Sequence, residues 1–111
     1  MLTKLKHPNL IKIYQHPHQY SNVVIMEMEL GLMSVLKFAQ IRRQANNPLK
    51  EEEVAAIMKG VLEGLTYLHD TVNVIHRDIK PENMLISNYA ELSQIKLIDF
   101  GLAIEYTKEN I

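Results

Sequence analysis

A densely polar stretch of eight residues most constrains how this chain folds. Residues 76–83 read His-Arg-Asp-Ile-Lys-Pro-Glu-Asn, between the apolar segments at 72–75 and 84–86. Pro81 lacks a backbone N–H and has a fixed φ, so the stretch is a poor candidate for a regular helix or a central strand. We therefore expect a polar loop that joins the element before it to the element after it.

The strongest helical pattern precedes this loop and spans residues 51–69. Three glutamates at 51–53 suit the positive N-terminal end of a helix dipole. Apolar residues at helical spacing mark one face, and these are Val54, Ile57, Val61, Leu65 and Leu68. Gly60 and Gly64 each cost about 1 kcal/mol relative to alanine in a helix. Because they lie four residues apart on one face, we expect a neighbouring element to approach closely there.

Shorter elements surround this helix. Apolar residues near helical spacing predict a helix over residues 33–43, and two short apolar runs at 84–86 and 95–98 predict a hairpin with a longish loop. Upstream, we expect a helix that ends near Lys6, a strand over 10–15, a turn at 16–19 and a strand over 23–27. Two antiparallel strands joined by a loop are the simplest account of residues 10–28.

Length and charge exclude several classes of protein. A chain of 111 residues fits one small domain, and 12 basic against 13 acidic residues provide no basic field for nucleic acid or a membrane surface. The absence of cysteine excludes a disulfide scaffold and thiol catalysis. The apolar run at residues 23–26 is far too short to cross a bilayer, and no signal-peptide pattern is visible. We expect an intracellular, cytoplasmic location.

Residues 76–83, together with Asp-Phe-Gly at 99–101, resemble the catalytic core of eukaryotic protein kinases. Three further segments resemble the family in the same order, at residues 5–10, 25–28 and 67–69. The resemblance implies an α+β, kinase-like fold that is incomplete. Residues 1–28 would form the end of the small-lobe antiparallel sheet and the hinge strand. Residues 29–111 would form the first part of the mainly helical large lobe.

The resemblance also implies chemical roles for four residues of this site. Asp78 would orient the substrate hydroxyl and accept its proton, and Lys80 would place a cation on the transferring phosphate. Asn83 and Asp99 would supply oxygen ligands to Mg²⁺. Because the predicted hairpin pairs its two strands, we expect the backbone positions of Asn83 and Asp99 to lie close together.

Four further residues would bind the nucleotide by resemblance. Met26 occupies the position that restricts the pocket behind adenine, while Glu27 and Met28 would hydrogen-bond adenine through backbone groups. Leu85 would lie beneath the adenine ring.

Four other side chains have implied structural or regulatory roles. The ring of His76 would pack in the core near Phe100, in a stack that includes Ile13. Arg77 would pair with a phosphate on the activation loop.

Lysine two positions after the catalytic aspartate is typical of serine/threonine kinases in this family. The implied function is ATP-dependent phosphorylation of protein serine and threonine hydroxyls, with ATP and Mg²⁺ as cofactors. The family's glycine-rich loop would precede Met1 and its Ala-Pro-Glu segment would follow Ile111. We therefore expect little activity from these 111 residues alone, and a helix face at Val61 and Leu65 that lacks its packing partner.

Two alternatives remain open at this point. One is a catalytically inactive kinase-like fragment that acts as a binding or regulatory module. The other is an unrelated helical interaction domain.

Overall fold

A computed structural model describes residues 5–12, 18–20, 23–25, 31–100 and 102–106. The helices in this part of the chain are α1 (Val35–Gln44) and α2 (Glu51–Thr66). The strands are β1 (His18–Tyr20), β2 (Val23–Ile25), β3 (Met33–Ser34), β4 (Val74–Ile75), β5 (Met84–Ile86), β6 (Lys96–Leu97) and β7 (Ile104–Glu105). A π-helical turn at Tyr67–Thr71 extends α2, and single 3₁₀ turns occupy Pro81–Asn83 and Leu92–Gln94. This mixture confirms the expected α+β class.

The strands pair in three antiparallel groups. The central sheet has the order β3-β5-β6, and separate pairs are formed by β1 with β2 and by β4 with β7. In the central hairpin Met84 lies opposite Leu97, which confirms the predicted pairing of residues 84–86 with 95–98. Leu10 adds an isolated parallel bridge to Leu97 at the edge of this sheet.

The N-terminal predictions are only partly correct. Residues 5–7 have no helical structure, so the predicted helix does not reach Lys6. The predicted turn at 16–19 is wrong for its last two residues, because His18 and Gln19 pair with Ile25 and Val24 in the β1–β2 ladder. Of the predicted strand over 10–15, the described residues 10–12 contribute one bridge and no regular strand, and residues 13–17 lie outside the described part.

Helix α1 begins two residues later than predicted because Met33 and Ser34 pair with β5 as strand β3. Ser34 then caps the helix: its side-chain oxygen accepts a hydrogen bond from the backbone N–H of Lys37 at 3.1 Å. Arg42 and Arg43 occupy the last turn, where the helix dipole favours positive charge.

Helix α2 and the turn that follows it bury three of the five residues predicted on the apolar face, Ile57, Val61 and Leu68. The buried residues of α2 itself are Ile57, Gly60, Val61 and Gly64. The prediction that this face lacks a packing partner is wrong for Val61, which is 1% exposed within the core, and Leu65 also packs against that core. Val54, predicted on the apolar face, is exposed, as are Met58 and Leu62.

The two glycines lie on this buried face, where neighbouring atoms approach the helix closely. A Cβ atom on Gly60 would lie 2.4 Å from the Ser93 carbonyl oxygen, and one on Gly64 would lie 3.2 Å from the Asn9 Cβ. The expected close approach is thus confirmed. Asn9 is 3% exposed, and its side-chain Nδ2 donates to the carbonyls of Ser93 and Ile95, both at 2.8 Å. Its own carbonyl accepts a hydrogen bond from Leu97 N at 2.8 Å.

Candidate active site

A buried histidine supports the polar loop from the core side. His76 follows β4 directly and is 1% exposed. Its Nδ1 accepts a hydrogen bond from Asp78 N at 3.1 Å, so Nε2 carries the ring proton and donates it to the Ile98 carbonyl at 2.8 Å. The His76 and Phe100 ring centroids lie 5.0 Å apart, which confirms their expected packing. His76 therefore ties the loop to the chain just before Asp99.

The loop brings three of the predicted site residues together. Asn83 Nδ2 donates to the Asp78 carboxylate oxygen Oδ2 at 3.1 Å and to the Asp78 carbonyl at 2.9 Å. Lys80 Nζ lies 3.6 Å from the other carboxylate oxygen, Oδ1. The side chains of Lys80 and Asp78 remain 46% and 23% exposed, whereas Asn83 is buried. The carboxylate is thus fixed from the core side and stays accessible from the solvent side.

The hairpin places the fourth predicted residue at the same end of the sheet. The Asn83 carbonyl accepts a hydrogen bond from Ile98 N at 2.9 Å, which extends the β5–β6 ladder by one step. Asp99 is the next residue along the chain and is exposed. The pairing of β5 with β6 therefore brings the Asn83 and Asp99 positions to a common edge.

Two site residues adopt left-handed backbone conformations. Arg77 has φ 69° and Asp99 has φ 60°. Aspartate tolerates this region better than most residues, but it is uncommon for arginine and strains its backbone. The Arg77 side chain donates from Nε to the Leu102 carbonyl at 2.6 Å, which links the loop to the segment after Asp99.

The oxygen atoms that this site offers as metal ligands suit a hard cation. Both hydrogen bonds of the Asn83 side chain use its amide nitrogen, which leaves the amide oxygen Oδ1 as a potential ligand. Within the described part of the chain, no three histidine, aspartate or glutamate side chains converge as a metal site. One amide oxygen and one carboxylate suit Mg²⁺, which commonly binds through few protein oxygens and completes its coordination with phosphate and water.

The structure describes one of the four predicted nucleotide-binding residues. Leu85 is half-buried at the centre of β5, opposite Ser34 and Lys96. A Cβ atom on Gly31 would lie 2.0 Å from the Leu85 Cδ2, so the glycine backbone lies directly against this leucine. The predictions for Met26, Glu27 and Met28 lie outside the described residues, as does that for Ile13.

Several supporting contacts were not predicted from the sequence. Asn9 occupies a buried hydrogen-bonding position in the turn that it forms with Pro8, and no local pattern indicates its partners at Ser93 and Ile95. Gly31 marks a break in the apolar pattern, but nothing in the sequence connects it with Leu85. The Tyr106 hydroxyl donates to the His69 carbonyl, a contact across 37 positions of sequence that no local spacing indicates.

Comparisons with known proteins agree with this architecture. The family model for the protein kinase domain matches residues 1–111, and the chain belongs to this family. Among similar proteins, the serine/threonine-protein kinase TAO3 of Xenopus laevis is 40% identical over 98% of this chain, and TAO1-A of the same species is 41% identical over 92%. The Aurora kinase of Encephalitozoon cuniculi is 36% identical over 92%.

The chain spans only part of these relatives, at 11% of TAO3, 9% of TAO1-A and 35% of the Aurora kinase. The resemblance inferred from the motifs is thereby confirmed, and so is the partial, α+β kinase-like fold. Among the described residues, no helix has the length and apolar character needed to cross a membrane.

Proposed function

We propose that this chain carries the catalytic loop of an enzyme that transfers the γ-phosphoryl group of ATP to serine and threonine hydroxyls of proteins. The cluster of Asp78, Lys80 and Asn83 is the observation that carries the proposal. In the same proposal, residues 1–28 belong to the end of a small lobe and residues 29–111 to the start of a large lobe.

Asp78 is the residue that receives and orients the substrate hydroxyl. One of its carboxylate oxygens accepts from Asn83, and its backbone N–H is held by His76, so the side chain has little freedom to turn. Phosphoryl transfer depends chiefly on positioning and on charge stabilisation. A fixed carboxylate can align the hydroxyl and take its proton late in the reaction.

Lys80 lies next to this carboxylate and supplies positive charge. Its Nζ is 3.6 Å from Asp78 Oδ1 and its side chain is 46% exposed, so it can turn towards a phosphate while staying near the reacting hydroxyl. A compact ammonium in this place stabilises the charge on the transferring group. Lysine here also favours serine and threonine substrates, and the similar proteins named above are serine/threonine kinases.

Asn83 and Asp99 are the residues that would hold Mg²⁺, which supplies charge neutralisation to the phosphates when bound. The Asn83 amide nitrogen donates to Asp78, so its amide oxygen is the atom that would bind the cation. Leu85 would contact the adenine ring, with Met26, Glu27 and Met28 completing the nucleotide site.

The direct test is Asp78→Asn in the full-length protein, assayed for phosphate transfer from radiolabelled ATP to serine, threonine and tyrosine peptides. Loss of general-base catalysis and of hydroxyl orientation lowers kcat by about 10²- to 10⁴-fold. The matched control is Asp70→Asn, the same chemical change at an exposed aspartate in the π-helical turn. It is expected to keep wild-type activity.

Three outcomes separate the possibilities. Transfer to serine and threonine peptides that Asp78→Asn abolishes supports the proposal. Transfer to tyrosine peptides alone contradicts the substrate class. A folded full-length protein that transfers no phosphate contradicts the proposal and favours a non-catalytic binding or regulatory role.

A further inference from the structure

The segment after Asp99 is held to the protein mainly by hydrogen bonds. Leu102 is 53% exposed and Ile104 is 37% exposed, and Glu105 also faces solvent. Ala103 packs against the core, but its side chain is a single methyl group. A segment with so little buried apolar surface depends on its polar contacts for a defined position.

These polar contacts anchor both ends of the segment. At its start, the Leu102 carbonyl accepts from the Arg77 side chain at 2.6 Å, and Ala103 N donates to the Phe100 carbonyl at 3.0 Å. In its middle, β7 pairs with β4 through two residues on each strand. At its end, Tyr106 N donates to the Asn73 carbonyl at 2.9 Å.

Tyr106 adds a second anchor through its side chain. Its half-buried hydroxyl donates to the His69 carbonyl in the π-helical turn that ends α2. The carbonyls in the last turn of a helix have no partner within the helix, so a tertiary donor is favourable there. The hydroxyl thus fastens the segment directly to the largest helix.

We infer that Tyr106 is a positioning residue for Asp99: its hydroxyl bond to His69 holds the following segment in place and thereby fixes the orientation of the Asp99 carboxylate. Asp99 has a left-handed φ of 60°, a region that aspartate tolerates at some cost, so contacts on both sides of it help to hold it there. Phe100 is buried beside His76, and residues 102–106 are fixed by the anchors described above. Tyr106 closes this set of constraints at its C-terminal end.

The inference rests on the proposed function, because the orientation of Asp99 affects activity through the metal ion that Asp99 would bind. Without the hydroxyl, a larger fraction of molecules has Asp99 misplaced. Metal binding then weakens, because only the remaining fraction is competent. Binding of a protein substrate, which the proposed function assigns to the Asp78 side of the site, is much less affected.

The test is Tyr106→Phe in the full-length protein, which removes one hydroxyl and keeps the ring. We expect the Mg²⁺ concentration for half-maximal activity to rise about 2- to 10-fold, the range that one hydrogen bond of ordinary strength supplies. The KM for the peptide substrate stays unchanged. Hydrogen exchange in residues 102–106 rises, while exchange in α2 stays at the wild-type rate.

Tyr89→Phe is the matched control, because Tyr89 is 48% exposed and its ring contacts Phe38, away from Asp99. It should leave the Mg²⁺ dependence of activity and the hydrogen exchange of residues 102–106 at the wild-type values. If Tyr106→Phe matches wild type in its Mg²⁺ dependence, or loses activity only as the whole protein unfolds, the inference is overturned and the proposed function stands. If the wild-type protein transfers no phosphate, both are overturned together.

Discussion

Two regions of this protein secure polar groups in opposite ways. The first, here called the α2 clamp, consists of Asn9, Gly60 and Gly64, where a buried amide and two bare helix positions bring backbones into close contact. The second is the loop at residues 76–83, whose carboxylate and ammonium groups remain partly exposed. The clamp supplies stability, whereas the loop keeps reactive groups accessible on a strained backbone. Variants of the clamp should therefore unfold the protein before they alter its chemistry.

The largest expected effect on stability comes from Asn9→Ala in the clamp. The carbonyls of Ser93 and Ile95 each lose a donor at 2.8 Å in a largely buried place. Leaving both acceptors unpaired lowers the free energy of unfolding by about 2–4 kcal/mol. Urea unfolding of the full-length protein measures this change. Asn47→Ala, at an exposed loop position, is the control and should change stability little; equal stability of the two variants would contradict the role assigned to Asn9.

Alanine substitutions at the two glycines of the clamp are expected to change stability less than Asn9→Ala, and they can be compared with each other. At Gly60 a new Cβ meets the Ser93 carbonyl oxygen at 2.4 Å, so backbone must move. Overpacking costs about 1–3 kcal/mol, and because three atoms lie within 3.0 Å of the new Cβ we expect a cost in the upper part of that range, above the gain of about 1 kcal/mol in helix propensity. At Gly64 the nearest atoms lie at 3.2 Å, where small shifts suffice.

Gly60→Ala is therefore expected to lower the free energy of unfolding, and Gly64→Ala to change it by less than about 1 kcal/mol. Thermal and urea unfolding of both variants check the order. Equal destabilisation by the two substitutions would show that the distance to Ser93 does not govern the clamp.

The sequence predicted much of the secondary structure because strong local signals agree with the tertiary packing. The glutamates at 51–53 mark the start of α2, and the β5–β6 hairpin follows from two apolar runs. The buried face of α2 was also predicted, except at its first residue. Helical spacing defines a stripe, but how much of its length is covered depends on the neighbouring elements. Val54 consequently lies in solvent, whereas Val61 lies in the core.

The candidate site shows the same division between local and long-range information. Asp78, Lys80 and Asn83 lie within six residues, so one short motif predicts that they are neighbours. The packing of His76 on Phe100 followed from the family resemblance. Contacts such as Tyr106 with His69 involve residues far apart in sequence, and only the folded chain reveals them.

The smallest expected effect concerns α2 outside both the clamp and the loop. Glu53 accepts hydrogen bonds from Arg42 at 2.6 and 2.8 Å and from the backbone of Lys50 at 3.0 Å. The Arg42 hydrogen bonds are the main cause of a lowered pKa for Glu53, from 4.5 to about 2, and the Lys50 N–H adds to it. A carboxyl group whose pKa is lowered by folding stabilises the folded protein at pH values above its pKa in the unfolded chain. That contribution is therefore lost as the pH falls from about 4.5 towards about 2.

Glu53→Gln should remove this part of the pH dependence, with an effect smaller than that of Gly60→Ala because the pair lies near the surface and is screened by solvent and salt. Urea unfolding at pH 6 and pH 3 measures it. The exposed Glu52→Gln serves as the control and should retain the wild-type pH dependence. If Glu53→Gln and Glu52→Gln lose stability equally over this range, the bridge between α1 and α2 makes no contribution of its own. In that case the α2 clamp, and not the bridge between Arg42 and Glu53, would hold α2 in place.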